Sequence, residues 1–201
     1  PSVPAAAQSS SLRVLLDTVR RPGVGRGLGG HVLVVFGHIL AYTYVRVALE
    51  RIPDVDAMTI VILLALFGLG GLVGNLVIGL VVDRAFGVVA TVVPVAIAAA
   101  IAVAVLLPGS IVAVGIAVTV WGFFFASWLI VVNTWVGHRM PDRLEAGGSL
   151  VVVGFQAAIT VAAAVGGLLV DAYGITVDFV AGVVLLLLGA ALFRSARRTA
   201  R

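Results

Sequence analysis

A chain of 201 residues that is 62% hydrophobic and 11% charged, with a mean hydropathy of +1.22, is too apolar to be a water-soluble domain. It contains no cysteine, which excludes a disulfide framework, a cysteine-based zinc site and an iron–sulfur cluster. The net charge of +4 at pH 7 rests on thirteen arginines and no lysine, and these arginines stand mostly in the breaks between apolar runs. This placement is typical of membrane orientation signals and argues against nucleic acid as a partner.

The N-terminal residues 1–26 are predicted to be the end of a cytoplasmic linker followed by a short amphipathic helix. Residues 1–11 are rich in Pro, Ala and Ser and lack a signal-peptide pattern, so we expect the chain to be a fragment or a processed product. The helix starts after Ser11 and Pro22 ends it. Its apolar face comprises Leu12, Leu15, Leu16 and Val19. We expect it to lie in the membrane interface, with a regulatory role as the alternative.

Six apolar runs follow, each long enough to cross the hydrocarbon core of a bilayer, which takes roughly 20 residues in a helix. The predicted transmembrane helices span 28–49, 59–82, 88–107, 111–132, 149–170 and 175–193. The expected fold class is an all-α membrane protein whose partner is the lipid bilayer. It has one six-span domain over residues 27–193 and a basic cytoplasmic tail over residues 194–201.

The arginines predict how the spans are oriented. With six spans both termini lie on one side, and eleven of the thirteen arginines fall on that side, whereas only Arg46 and Arg51 fall on the other. Because loops rich in positive charge stay in the cytoplasm, we expect an integral protein of a bacterial-type plasma membrane with both termini cytoplasmic.

A short internal repeat predicts an inverted topology. Residues 79–87 read GLVVDRAFG and residues 167–174 read GLLVDAYG, which nearly match after one deletion. These segments end the second and fifth predicted spans, which run in opposite directions, so we interpret them as a three-plus-three inverted repeat. The alternative is a chance match among abundant Gly, Val and Leu. The third and sixth spans carry few polar side chains and are expected to face lipid.

On the first span, four side chains fall within about 80° of helix rotation. They are His31, His38, Tyr42 and Arg46. We interpret this stripe as the wall of an aqueous path, in which a titrating imidazole would allow proton coupling or pH sensing. The alternatives are hydrogen bonds between helices for the histidines and snorkelling of Arg46 to the outer interface.

The fourth span carries an aromatic stripe. Trp121, Phe125 and Trp128 lie on one side of it. An aromatic wall suits bulky apolar or cationic ligands, so these residues are candidates for the same path, and helix packing is the alternative.

The fifth span carries a polar stripe. Ser149, Gln156, Thr160 and Gly167 align within about 40° of rotation. Gln156 and Thr160 are candidates for the path, because an amide offers both donors and an acceptor to a polar ligand. A hydrogen bond between helices is the alternative, and Gly167 is predicted to be a packing position.

Small residues on the second span predict a close helix contact. Gly71, Asn75 and Gly79 recur every four residues, with Gly70 and Gly74 beside them. This spacing lets another helix approach closely, and Asn75 is expected to form a hydrogen bond across the contact.

Three stretches of the chain resemble the C-terminal half of a Major Facilitator Superfamily transporter. They are residues 37–46, 74–84 and 147–171. The closest resemblance is to the bacterial drug and sugar efflux branch, the arabinose-efflux and chloramphenicol-resistance type permeases. It covers residues 12–193.

The most specific part of this resemblance is a loop motif that follows the second span. Gly79, Asp83 and Arg84 match the family pattern Gly-x-x-x-Asp-Arg, whereas Gly87 comes one residue late and Val88 replaces a basic residue. The resemblance implies that this motif latches the inner gate, and the missing basic residue predicts a weaker latch.

The resemblance implies one half of a secondary active transporter. The family has twelve spans in two halves with the substrate path between them, so the implied partner is an N-terminal six-helix half, on the same or a separate chain, or a second copy. The implied activity is proton-coupled efflux of small, largely apolar compounds of drug or sugar type by alternating access, with no cofactor and no metal. No carboxylate falls at mid-membrane depth in the predicted spans, so the main proton-carrying acid is expected in the other half.

The alternative function is that of a non-transporting membrane remnant or assembly partner. An enzyme is not predicted, because a six-span serine protease needs a Gly-x-Ser-Gly motif that the sequence lacks. A six-span water channel is excluded by the absence of paired Asn-Pro-Ala turns.

Overall fold

The computed structural model describes residues 12–198 and the side chains of residues 12–196. Within this part of the chain all regular secondary structure is helical, which confirms the predicted all-α class. The helices are α1 (Leu12–Val19), α2 (Val24–Thr43), α3 (Val45–Leu49), α4 (Ala57–Leu106), α5 (Ile111–Ala126), α6 (Trp128–Arg139), α7 (Leu144–Tyr173) and α8 (Ile175–Arg198), with a 3₁₀ turn over Pro141–Arg143. The predicted linker end at residues 1–11 and the last three residues of the predicted basic tail lie outside the described residues.

Five helical stretches of the described chain are long and apolar enough to cross a membrane. They are Val24–Thr43, Ala57–Leu106, Ile111–Arg139, Pro141–Tyr173 and Ile175–Ala196. Two predicted spans contain a helix break. The first is divided at Tyr44, between α2 and α3, and the fourth is divided at Ser127, between α5 and α6.

The longest helix, α4, folds back on itself. A straight helix of its 50 residues would extend about 75 Å, against a hydrocarbon core of about 30 Å. Its first turns, at 59–66, line a cavity together with residues 111–120 of α5, and its last residue is joined to α5 by residues 107–110 alone. Both ends of α4 therefore lie beside the start of α5. The reversal falls at Ala85, whose φ of −123° and ψ of 26° are not helical.

Local side chains define where several helices begin and end. The Asp56 carboxylate accepts a hydrogen bond from the Thr59 backbone N–H at 2.7 Å, and the Ser110 hydroxyl accepts one from the Ala113 N–H at 3.3 Å. Each satisfies a donor that the first turn of a helix leaves free. Hydrogen bonding from Thr59 also lowers the pKa of Asp56. Helix α7 ends at Gly174, whose φ of +79° favours glycine.

The first part of α4 packs against α5 through glycines. Gly70 faces the carbonyl oxygen of Thr119 and Gly74 faces that of Phe123, so closely that a Cβ at either glycine would overlap the neighbouring backbone. Gly71 is buried in the same contact. This close approach of two helices is what small residues at four-residue spacing allow.

Asn75 and Gly79, which the spacing predicts for this contact, lie outside it, and both are exposed. Successive helical residues turn by about 100°, so a contact centred on the row of Gly70 and Gly74 leaves positions 75 and 79 on the other side of α4. No hydrogen bond joins the Asn75 side chain to another residue within the described part of the chain, which corrects the expectation of a bond across the contact.

A second glycine seam, which sequence reasoning missed, joins α2 to α8. Gly37 lies against the Gly182 carbonyl oxygen, and Gly189 lies against that of Gly30. The glycines are seven residues apart on both helices, so this regular spacing was the signal that could have predicted the contact.

Arginines tie several segments together at one end of the bundle. Arg21 donates two hydrogen bonds to the Asp142 carboxylate, at 2.8 and 2.6 Å. Arg139 donates to the backbone carbonyls of Pro22 and Ala196, both at 3.1 Å. We call this the arginine-rich end, formed by α1, the 139–143 connection and the last turns of α8.

Helix α1 is held at the arginine-rich end by Arg143. Its guanidinium donates to the Val14 carbonyl at 3.3 Å and to the Thr18 hydroxyl at 3.1 Å. Leu12 and Leu16 stay 79% and 56% exposed on the other side of the helix. This leaves apolar side chains free for the lipid interface that the sequence predicts.

Candidate functional site: histidine–tryptophan contacts and a polar face

Two histidine–tryptophan hydrogen bonds connect α2 to the α5–α6 segment. Trp121 Nε1 donates to His38 Nδ1 at 2.9 Å, and Trp128 Nε1 donates to His31 Nδ1 at 3.1 Å. The four side chains are at most 1% exposed. The two histidines are seven residues apart on α2, and the two tryptophans are seven residues apart on the α5–α6 segment. Because the earlier histidine bonds to the later tryptophan, the two segments run antiparallel.

The tryptophan donors define the protonation of both imidazoles. An indole nitrogen can only donate, so each Nδ1 must present a lone pair, and the proton of a neutral ring is then on Nε2. For His31 this Nε2 lies 3.2 Å from the Val151 carbonyl oxygen of α7, which accepts the bond. His31 therefore joins three helices, α2, α6 and α7.

The structure divides the stripe predicted on the first span. His31 and His38 lie inside the helix packing and not along an open face, because their ring nitrogens bond to tryptophans of a neighbouring segment. Tyr42 is 40% exposed. Arg46 is exposed, and its Nε donates to Glu50 at 3.0 Å. Only Tyr42 and Arg46 of the four predicted residues are open to the surroundings.

An aromatic cluster surrounds His38. Its ring stacks on Phe125 and, with centroids 5.2 Å apart, on Tyr42, and Trp121 meets it edge-on at 5.7 Å. Phe67 of α4 completes the cluster at 5.0 Å from Tyr42. Tyr42, Phe67 and Phe125 are exposed or half-buried, so the cluster reaches the surface of the bundle. The sequence analysis did not identify Phe67 as a site residue. The only signal was that Phe67 shares one side of α4 with Gly70 and Gly74, the side that packs against α5.

The polar stripe of α7 is open. Gln156 and Thr160 are exposed, and the Thr160 hydroxyl donates to the Gln156 backbone carbonyl at 3.0 Å. Within the described part of the chain the Gln156 amide has no hydrogen bond. Ser149 is half-buried, and Gly167 lies against the hydroxyl of Tyr44.

The loop motif of the predicted gate lies at the reversal of α4. Gly79, Asp83, Arg84 and Gly87 are all exposed, and neither charged side chain forms an ion pair within the described residues. Phe86, between them and Gly87, meets the His138 ring edge-on at 5.2 Å. The reversal therefore lies at the arginine-rich end.

Three open clefts lie on the flanks of the bundle. They measure about 510 Å³ between α4 and α5, 460 Å³ between α4 and α8 and 440 Å³ beside α3. Arg46, in the third, is the single predicted path residue among their linings. No group of three His, Asp or Glu side chains in the described residues could hold a metal ion.

A bundle of apolar helices with large hydrophobic side chains exposed on its flanks defines an integral membrane protein. The chain belongs to the Major Facilitator Superfamily, whose sequence profile matches residues 28–201. This confirms the family that the motifs predict.

The chain is similar along nearly its whole length to proteins from bacteria. It is 30% identical over 193 residues to the transcription regulatory protein OpdE of Pseudomonas aeruginosa, covering 94% of this chain and 48% of that protein. It is 30% identical over 196 residues to the purine ribonucleoside efflux pump NepI of Escherichia coli strain K12, covering 96% and 48%. The chain thus spans about half the length of the curated relatives it matches.

Proposed function

We propose that this chain is the C-terminal six-span half of a secondary active transporter that exports small molecules from a bacterial cell. The observation that carries the proposal is the extent of the similarity, since 94% and 96% of the chain match only 48% of two relatives, one of which is named an efflux pump. The substrate path then lies between this half and an N-terminal half of similar size.

The reversal of α4 supports six crossings. A 50-residue helix that turns back at Ala85 is long enough for two spans, which brings the five membrane-length stretches to six. The second and third predicted spans correspond to its two arms. In this proposal the six crossings form the three-plus-three inverted repeat that the sequence predicts.

The path face of this half comprises Tyr42, Phe125, Gln156 and Thr160. Its exposed amide and phenol are not used in side-chain bonds of the described structure, so they are free to bind a ligand. His31, His38, Trp121 and Trp128 have a supporting role, since their hydrogen bonds hold α2, α5, α6 and α7 together behind this face. Such backing lets the helices move as a unit during alternating access.

The aromatic and amide groups suit a substrate with a flat, largely apolar body and polar edges. A ring can stack on Tyr42 or Phe125, while Gln156 binds edge donors and acceptors. Purine ribonucleosides have this chemistry, and the relative NepI is named for exporting them. They are therefore the first compounds to test, ahead of other small drug-like or sugar-like molecules.

Protons drive the export in this proposal, and the arginine-rich end is the cytoplasmic side. The exposed Asp83 and Arg84 remain available to latch the inner gate against the other half. The topology predicted from the sequence, which assigns eleven of the thirteen arginines to one side, supports the orientation.

An efflux assay in cells tests the proposal. Cells preloaded with labelled purine ribonucleoside would express this chain, an N-terminal half, or both as one polypeptide. We expect faster efflux for the joined halves only. Gln156→Ala should raise the KM by about tenfold, which corresponds to one lost hydrogen bond of about 1.4 kcal/mol. Val161→Ala, at an exposed position of the same helix about 100° or more of helix rotation away from Thr160 and Gln156, is the matched control and should leave the KM unchanged.

Loss of efflux in every arrangement, across a panel that also includes drug-like and sugar-like compounds, would count against a transporter. Equal KM values for Gln156→Ala and Val161→Ala would leave the transporter in place and remove Gln156 from the path.

A further inference from the structure

Asp178 is a buried acid that the proposed path does not use. It lies in the first turn of α8 and is 0% exposed. Neither of its carboxylate oxygens has a hydrogen-bond partner within the described residues. Buried polar groups are nearly always hydrogen-bonded, so a carboxyl without a partner requires an explanation.

The carboxyl occupies a niche between α2, α7 and α8 that glycines leave open. A Cβ at Gly166 would lie 3.3 Å from Asp178 Oδ1, 3.1 Å from the Tyr44 ring and 3.4 Å from Leu40. A Cβ at Gly167 would lie 3.1 Å from the Tyr44 hydroxyl. The two glycines therefore make room for the acid and for the phenol beside it.

Few charged or titratable groups face this niche. The junction of α2 and α3 contributes Tyr44, which lies beside Gly166 and Gly167 of α7. Helix α4 also packs against α8 and carries no charged side chain over residues 88–106. Arg51 donates to the hydroxyl of Thr176, two residues before Asp178 in α8, at 3.4 Å. Arg46, the other arginine at this end, is paired with Glu50. Asp178 therefore has no counter-charge in the described structure.

A purely packing role does not explain an acid at this position. An ionised carboxylate is costly inside a membrane protein unless it is paired, and intramembrane acids commonly mark proton and ion pathways. An apolar or amide side chain would fill the same niche without that cost.

We propose that Asp178 is a proton-binding site of this half of the carrier. The carboxyl holds one proton while the niche is closed, as it is here. It releases that proton to water when α7 moves away from α2 and α8 and opens the niche beside Gly166. The role in coupling rests on the proposed transport function, whereas the binding of a proton does not. This places an acid for coupling in this half as well as in the other.

Infrared difference spectroscopy tests the site directly. The purified protein containing this chain, reconstituted in lipid, is titrated from mildly acidic to mildly alkaline pH while the C=O stretch of protonated carboxyls is followed. We expect a band that titrates and that disappears in Asp178→Asn. The matched control is Asp171→Asn, at an exposed acid near the end of α7, which should keep the band. Retention of every titrating band in Asp178→Asn would overturn the proposal.

A second variant protects the test against misfolding. Gly166→Ala keeps the carboxyl and places a methyl group against Oδ1, so it should shift the frequency of the same band. An unshifted band in this variant would also contradict the assignment.

Transport assays distinguish a failure of the proton-site proposal from a failure of the proposed transport function. With a transporting protein, Asp178→Asn should abolish the dependence of export on the pH gradient, and Asp171→Asn should preserve it. A titrating Asp178 in a protein that transports nothing would refute the proposed function and leave the proton site. Unchanged pH dependence in Asp178→Asn would refute its role in coupling.

Discussion

At the scale of single residues, the tryptophan partners restrict what the two histidines can do. Each Nδ1 accepts an indole N–H, so adding a proton there would break a buried hydrogen bond. The imidazoles are therefore better suited to holding helices together than to carrying protons in this arrangement.

Sequence reasoning identified these four side chains but not their pairing. The helical spacing placed the two histidines on one face and the two tryptophans on another. The bonds connect residues 83 and 97 positions apart, and nothing in the local pattern shows which distant segment covers a face. The histidines and tryptophans, which the sequence analysis assigned to the walls of a path, are therefore buried in an interface between helices.

A prediction for these bonds uses two tryptophans with different partners. Trp121→Phe removes the N–H that His38 accepts, whereas Trp135 Nε1 is buried and has no hydrogen-bond partner in the described structure. Both changes lose a similar ring volume. We expect Trp121→Phe to lower the free energy of unfolding by about 1–3 kcal/mol more than Trp135→Phe. Denaturant unfolding in detergent micelles measures the difference, and equal losses would show that the indole–imidazole bond contributes nothing.

At the scale of elements, the glycine rows determine how closely the helices approach. Both the row of Gly70 and Gly74 and the row of Gly71 and Asn75 have the right spacing in the sequence. The rows are one residue apart, so the choice between them depends on how α4 is rotated against α5. Only the tertiary structure fixes that rotation, and this is why Asn75 was misplaced.

A pair of alanine substitutions on α4 tests the contact. A Cβ at Gly74 would overlap the Phe123 backbone, whereas a Cβ at Gly68 meets nothing within 4 Å. We expect Gly74→Ala to destabilise the fold by about 1–3 kcal/mol through overpacking. Gly68→Ala should be neutral or stabilise it by up to about 1 kcal/mol, because alanine favours a helix. Thermal unfolding of both variants is the measurement, and a stable Gly74→Ala variant would refute the backbone contact.

The docking of α1 should depend on acid pH through Asp142. The hydrogen bond from Arg21 lowers the pKa of Asp142 to about 2, from an ordinary value of 3.8, and the same bond raises the pKa of Arg21. Because the pKa is lower in the folded protein, the pair stabilises the arginine-rich end fully above 3.8, and this contribution is lost as the pH falls towards about 2. A fluorescent probe at Arg13→Cys should report the release of α1 over that interval.

The control for this prediction is Asp142→Asn, which removes the titrating group. In that variant the probe should show a loosened α1 at neutral pH and no transition between the two pKa values. An unchanged acid transition in Asp142→Asn would mean that another group controls the docking of α1.

At the scale of the whole molecule, the sequence was sufficient for the class, the family and the arginine asymmetry. These features depend on composition and on short motifs, which can be recognised without knowing which residues are in contact. The breaks at Tyr44 and Ser127 were not predictable in the same way, because neither residue is a helix breaker and only the local backbone reveals them.

The number of crossings can be tested with single cysteines, since the chain has none of its own. Asp54, Asp83 and Gly109 are exposed. If α4 crosses twice, a membrane-impermeant maleimide should label Asp54→Cys and Gly109→Cys in intact cells, and Asp83→Cys only after lysis. Labels at positions 54 and 109 that fall on opposite sides of the membrane would show that α4 crosses once.

The most direct test of the account is transport by reconstituted halves. This chain, an N-terminal half and the two joined together would each be placed in vesicles with an imposed pH gradient, and movement of labelled purine ribonucleosides and of other small compounds would be followed. The account predicts gradient-driven movement for the joined halves and none for either half alone. Transport by none of the three preparations, or transport by this chain in the absence of any second half or second copy, would contradict it.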